Sequence, residues 1–138
     1  MPPSERWPCV LLVDDDPDTR ELYRAALRLS EFHVIEAGDG VEALRAIEAY
    51  AVALVVLDLD LPRLRGRDVA TEVRAHAETR DIPIVVVTGT DAADLNRADV
   101  SCVVFKPVYP DVLVSTVVRC LGRRLKTVGI QTSYAFGP

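Results

Sequence analysis

The run Ala53-Leu54-Val55-Val56-Leu57 places five apolar side chains in a row, and Asp58-Leu59-Asp60-Leu61-Pro62 follows directly. A strand with one wet face alternates apolar and polar residues. A strand without alternation is buried on both faces, as in a parallel sheet. Pro62 has no amide hydrogen to donate and ends the strand. Helices must then cover both faces of the sheet, which restricts the chain to an α/β fold. In open sheets of this kind ligands sit beyond the carboxyl ends of the strands, so Asp58 is the first candidate for chemistry. A single aspartate after a strand is commonly a turn former or helix cap, and the reading depends on what the other strands end in.

Three further runs have the same character. Cys9-Val10-Leu11-Leu12-Val13 ends in Asp14-Asp15-Asp16-Pro17, Ile84-Val85-Val86-Val87 ends in Thr88-Gly89-Thr90, and Cys102-Val103-Val104-Phe105 ends in Lys106-Pro107. His33-Val34-Ile35-Glu36-Ala37 is a shorter strand, stopped by Gly38-Asp39-Gly40. Helices are predicted between them. Asp16 caps the first and Pro17 fits its opening turn, with Leu22, Tyr23, Ala26, Leu27 and Leu29 as its apolar stripe. Val41, Leu44 and Ile47 mark the second, and Val69, Ala70, Val73 and Ala77 the third, after a loop at Arg63-Leu64-Arg65-Gly66. Asp91 to Arg97 is read as a short fourth helix. Pro110 and Asp111 open a fifth, whose Leu113, Val117, Val118 and Leu121 face inward and whose stop is Gly122. Five alternations of strand and helix predict a doubly wound parallel sheet with right-handed crossovers.

At 138 residues the chain can bury one proper core. Apolar residues make up 49% but aromatics only 6%, so that core is built of Val, Leu, Ala and Ile. The net charge of −5 argues against nonspecific nucleic-acid binding. Cys9, Cys102 and Cys120 lack metal or CxxC spacing and read as reduced core thiols of a cytoplasmic protein. The opening residues contain no apolar signal segment, and no run is long enough to span a membrane. Residues 1–8 read as an arm, 9–125 as the domain and 126–138 as a flexible tail. His33 and His76 have no second ligand at useful spacing, and neither reads as a phosphodonor.

The strand ends carry the chemistry. If strands one, three, four and five are neighbours, Asp14, Asp15, Asp16, Asp58, Thr88 and Lys106 converge on one crevice. Packed carboxylates raise one another's pKa unless a cation intervenes. A divalent cation with oxygen ligands resolves this, and Mg²⁺ takes one or two carboxylates with waters. Lys106 and Thr88 suit phosphoryl oxygens, and a carboxylate can itself be the nucleophile in phosphoryl transfer. The residues thus describe an aspartate that accepts a phosphoryl group with Mg²⁺, or Mn²⁺, assistance.

Over about residues 9–124 the chain resembles the response-regulator receiver domains of two-component signalling. The resemblance rests on Val13-Asp14-Asp15-Asp16-Pro17, on Asp58 with Pro62 and Gly66, on Val87-Thr88-Gly89 and on Phe105-Lys106-Pro107. It implies the flavodoxin-like sheet of order 2-1-3-4-5. It implies Asp58 as phosphoacceptor, Asp15 as direct metal ligand, Asp14 acting mainly through a bound water, and the backbone carbonyl of Asp60 completing the shell. Thr88 becomes the switch hydroxyl, Lys106 the partner of the phosphoryl oxygens, and Gly89 the opening for a donor. The implied partners are a histidine kinase or phosphotransfer protein, an unidentified protein target and a second copy of the chain, with no direct nucleic-acid or membrane role.

The chain departs from the family pattern in three places. Val103 stands where the family usually has Tyr or Phe, and Phe105, on the same face by alternation, reads as core. The segment between Thr88 and Lys106 is shorter by about one helical turn, which predicts a short or irregular fourth helix. Asp60 adds an acid beside the acceptor and is expected to alter dephosphorylation or donor choice. Two other readings stand beside the resemblance. Asp58-Leu59-Asp60 also resembles the DxD motif of haloacid-dehalogenase-type phosphatases, and Val103 leaves room for a receiver fold that binds partners without phosphorylation.

Overall fold

A computed structural model describes residues 6–89, 92 and 95–127, with side chains of the last helix described as far as Gly122. Five strands form one parallel sheet: β1 (Cys9–Val13), β2 (His33–Ala37), β3 (Leu54–Asp58), β4 (Ile84–Thr88) and β5 (Cys102–Phe105). Their order is β2-β1-β3-β4-β5, as the resemblance implies. β1 crosses between β2 and β3 with Val10 opposite Leu54 and Val13 opposite Leu57. The register carries on through Asp58 opposite Val87 and Thr88 opposite Phe105. The carboxyl ends of the four adjacent strands β1, β3, β4 and β5 are therefore level, and their polar residues reach one edge.

The unbroken apolar runs divide between two cores by alternation. Leu11, Val13, Val55, Leu57, Ile84 and Val86 pack with α2 (Gly40–Ala49) and α3 (Gly66–Ala75). Val10, Leu12, Leu54, Val56, Val85 and Val87 pack with α1 (Pro17–Leu29) and α4 (Pro110–Thr127). Leu11, Leu54 and Leu57 are fully excluded from water, and each such burial stabilises the fold by about 1.5–3 kcal/mol.

Local signals start the helices. Asp16 accepts the Asp18 amide ahead of Pro17, and Asp39 accepts the Glu42 amide at 2.8 Å, satisfying amides that have no helical partner.

Five sequence-based expectations are corrected. On α1 only Tyr23 and Leu27 are buried, while Leu22 and Leu29 are exposed, because one stripe is enough to cover its share of the sheet. Ala77 lies beyond α3 and is exposed. Gly122 does not stop the last helix, which runs to Thr127. Among the described residues a Cβ there would meet nothing within 4 Å, and the helix continues through that glycine. Phe105 is 55% exposed and not core, since it ends the edge strand of the sheet. Of the three free cysteines only Cys120 is fully buried. The expected fourth helix falls partly outside the described residues. Those described between β4 and β5 hold a 3-10 turn at Arg97–Asp99. The arm up to Glu5 and the tail beyond Thr127 also lie outside them.

Candidate functional site

Asp14 is the first residue past β1, its amide bonded to the Ala37 carbonyl at 3.1 Å and its own carbonyl accepting Arg20 Nη1 at 2.6 Å. Asp58 is the last residue of β3. Both carboxylates are buried, at 3% and 4% exposure. Lys106 leaves β5 with its amide on the Thr88 carbonyl at 2.8 Å. Its Nζ reaches Asp58 Oδ2 at 3.1 Å and Asp14 Oδ2 at 3.6 Å. The other Asp58 oxygen accepts the Asp60 amide at 2.9 Å.

Burial pushes the Asp58 carboxyl above the usual range. The Asp60 amide and Lys106 pull it back, and the neighbouring Asp14 charge adds to the rise. For Lys106 burial works against the ammonium, but the bond to Asp58 and the two carboxylate charges outweigh it and raise its pKa. A buried ion pair thus holds without fully offsetting the loss of hydration.

Carboxylate oxygens of Asp14, Asp15 and Asp58 lie within 4.8 Å of one another, with Asp15 on the exposed side. Around Mg²⁺, with oxygens at about 2.1 Å, neighbouring ligands stand about 3 Å apart and opposite ones about 4.2 Å. Small side-chain adjustments close that difference. Three carboxylates face one lysine, so a hard divalent cation fits both the donor chemistry and the charge.

The expected residues Asp14, Asp15, Asp58 and Lys106 therefore share one crevice. Thr88 ends β4 fully buried. By alternation it belongs to the α2/α3 side of the sheet, with its register partner Phe105, whereas Asp14, Asp58 and Lys106 fall on the α1/α4 side. Gly89 leaves the crevice open, because a Cβ there would stand 3.8 Å from Lys106 Cδ. At Gly66 a Cβ would run into the Asp58 carbonyl, so α3 begins against the end of β3 only because that residue has no side chain.

Two contacts beside the site carried no local sequence signal. One is Arg20 on the Asp14 carbonyl. The other joins the loops after β2 and β3. Arg63 Nε and Nη2 donate to Asp39 Oδ2 at 2.8 and 2.6 Å, while Asp39 Oδ1 caps α2. Arg63 has φ 67° and sits inside a Pro62-to-Leu64 bond of 2.8 Å, a γ-turn of the rare positive-φ kind. Such a conformation costs a residue with a side chain about 1–3 kcal/mol and persists where its surroundings impose it.

The family model for the response regulator receiver domain matches residues 10–118. The chain belongs to the response regulator receiver family. It is 38% identical over 112 residues to the DNA-binding response regulator MtrA of Mycolicibacterium smegmatis, covering 78% of this chain and 48% of that protein. It is 36% identical over 124 residues to the transcriptional regulatory protein PrrA of Mycobacterium tuberculosis, covering 87% and 52%. The chain thus spans about half the length of these curated relatives. A CheY-like receiver domain protein from Methanospirillum hungatei shares the fold at a TM-score of 0.81 and 24% identity, covering 88% of this chain and 98% of that one. A sensor protein from Polaromonas gives 0.79 and 26%, covering 85% and 98%. Membership decides against the phosphatase reading. Among the described residues no helix is long and apolar enough to cross a membrane.

Proposed function

We propose that Asp58 accepts a phosphoryl group from a phosphohistidine of a histidine kinase or phosphotransfer protein. The observation that carries this is Lys106 Nζ spanning Asp58 and Asp14 at the level ends of β1, β3 and β5. A carboxylate oxygen of Asp58 attacks phosphorus, and the new P–O bond forms as the P–N bond breaks. The imidazole keeps the bonding pair, and its ring takes up a proton from solvent. Lys106, held protonated by its carboxylates, follows the charge onto the phosphoryl oxygens, and Thr88 supplies a hydroxyl from the neighbouring strand. Water later attacks the acyl phosphate, returning phosphate and the free carboxylate. Asp15, Asp58 and the Asp60 carbonyl would hold Mg²⁺, or Mn²⁺, with Asp14 through a water, and the ion would supply charge neutralisation for the incoming oxygens.

The output we assign is altered protein contact, with a partner protein or with a second copy of the chain. DNA binding is a property of the relative MtrA, whereas this chain carries −5, which disfavours a polyanion. The free cysteines suit a cytoplasmic location. Val103, packed half-buried against the α2/α3 core where the family has an aromatic, favours one second reading, a receiver fold that binds partners without phosphorylation.

Intact mass after incubation with Mg²⁺ and acetyl phosphate separates the two. The expected result is one phosphoryl adduct that needs Mg²⁺ and is absent from Asp58→Asn. A folded wild-type protein that stays unlabelled, beside an authentic receiver that labels, selects the second reading.

A further inference from the structure

The loop from Leu59 to Arg65 holds the acceptor directly, because its Asp60 amide donates to Asp58 Oδ1 at 2.9 Å. Its near end is fixed by burial of Leu59 and Leu61. Its far end is fixed by Gly66, whose amide donates to the Leu59 carbonyl at 3.1 Å and whose bare Cα lies against Asp58. Between them the chain turns back at Arg63 in the left-handed region, φ 67°. Nothing in an arginine favours that conformation. What holds it is outside the loop. Both Arg63 donors converge on one oxygen of Asp39, 24 residues earlier. That carboxylate is itself immobilised as the cap of α2 by the Glu42 amide at 2.8 Å. Glu42 in turn accepts the Gly38 amide at 2.7 Å, closing the cap on both sides. Beside the pair, a Cβ on Gly40 would strike the Leu64 carbonyl, so the two loops are in backbone contact.

We infer that the Arg63–Asp39 pair is a clamp which fastens the loop after β3 to the start of α2 and so sets the position of the Asp60 amide on the acceptor carboxylate. Arg63 is a positioning residue, since it touches neither the acceptor nor the donor and acts through the loop backbone. Its part in phosphoryl transfer rests on the function proposed above, but its grip on Asp60 does not. Without the clamp nothing outside the loop holds residue 63 at φ 67°, so the turn samples other conformations and the Asp60 N–H spends more time away from Asp58.

The test is amide hydrogen exchange by NMR on the metal-free chain, with phosphorylation by acetyl phosphate and thermal melting in parallel. Arg63→Gly removes the guanidinium while glycine adopts the positive φ without strain, so its melting temperature stays near wild type. Asp39→Asn is the second variant, because it keeps an oxygen for the Glu42 amide and presents an NH₂ group to Arg63. In both, exchange at Asp60 speeds up about tenfold relative to wild type while amides within β1 and β3 keep their rates. Arg63→Lys, which keeps one charged donor, recovers part of the protection. The rate of adduct formation falls by a comparable factor in Arg63→Gly and recovers in the same order. Unchanged Asp60 exchange in Arg63→Gly and Asp39→Asn overturns the clamp, and so does a uniform acceleration across the sheet. If the wild-type chain takes no phosphoryl group, the exchange comparison still decides the clamp, and the failure belongs to the proposed function.

Discussion

Asp58 sits where the fold works against its own charge. Burial raises its pKa despite the Asp60 amide and Lys106, so the native state binds more protons than the unfolded chain between the unfolded and the native pKa. Stability therefore falls as pH rises through that window, and at neutral pH the penalty is fully present. Asp58→Asn keeps the shape and removes the charge. In metal-free buffer at pH 7 its melting temperature is expected to lie a few degrees above wild type, since ~1 kcal/mol is worth about 4 °C at this size. The gain shrinks as pH is lowered through the raised native value toward the unfolded value of about 3.9, below which the carboxyl is protonated in both states. Thermal melts of the two proteins from pH 7 to pH 4 check this. A variant less stable than wild type at pH 7 would mean that the Lys106–Asp58 bond outweighs desolvation.

At the scale of elements, two glycines packed beside strand ends carry opposite expectations. Gly66→Ala drives a Cβ into the Asp58 carbonyl and the Leu59 Cα, so α3 must move off the end of β3. Denaturant unfolding should register about 1–3 kcal/mol lost, the usual cost of overpacking. Among the described residues Gly89→Ala meets only Lys106 carbons at 3.8 and 3.9 Å, and it should stay within about 0.5 kcal/mol of wild type. It narrows the opening above Lys106, so phosphorylation by a protein donor should slow more than phosphorylation by acetyl phosphate. Equal slowing with both donors would place the donor's approach elsewhere. The elements themselves were legible wherever burial dictates pattern. Strands wetted on neither face read as unbroken runs, and Asp16-Pro17 announced α1. Phe105 misled because a residue ending an edge strand shows the same apolar letters as one inside. Gly122 misled because glycine marks a stop only where the chain turns. Asp14, Asp15, Asp58 and Lys106 were readable because each follows a strand, and level strand ends bring such residues together. Arg63 and Asp39 were not, because a contact across two loops leaves no periodicity in either.

At the scale of the whole molecule, the question is how far phosphorylation can move this receiver. A complete switch, from 1:99 to 99:1, needs about 5.5 kcal/mol of differential stabilisation. Two new charge-assisted hydrogen bonds at about 1.5–3 kcal/mol each would come close. Yet Lys106 already bonds Asp58 at 3.1 Å and faces Asp14 at 3.6 Å, so its bond to the phosphoryl group replaces an existing one. Thr88, fully buried at the end of β4, is the other side chain at these strand ends that can bond the phosphoryl oxygens. One such bond shifts the equilibrium by about 10–150-fold, well short of the ~10⁴ of a complete switch. Val103 packs against the α2/α3 core beside β4 and offers methyl groups to report the shift. In phosphorylated protein these resonances are expected at population-weighted positions between two states, with exchange broadening on the μs–ms scale. Thr88→Val, which keeps the shape and removes the hydroxyl, should return them to the unphosphorylated positions while the adduct still forms. A single fully shifted set of Val103 resonances, unmoved by Thr88→Val, would instead assign the switch to Lys106.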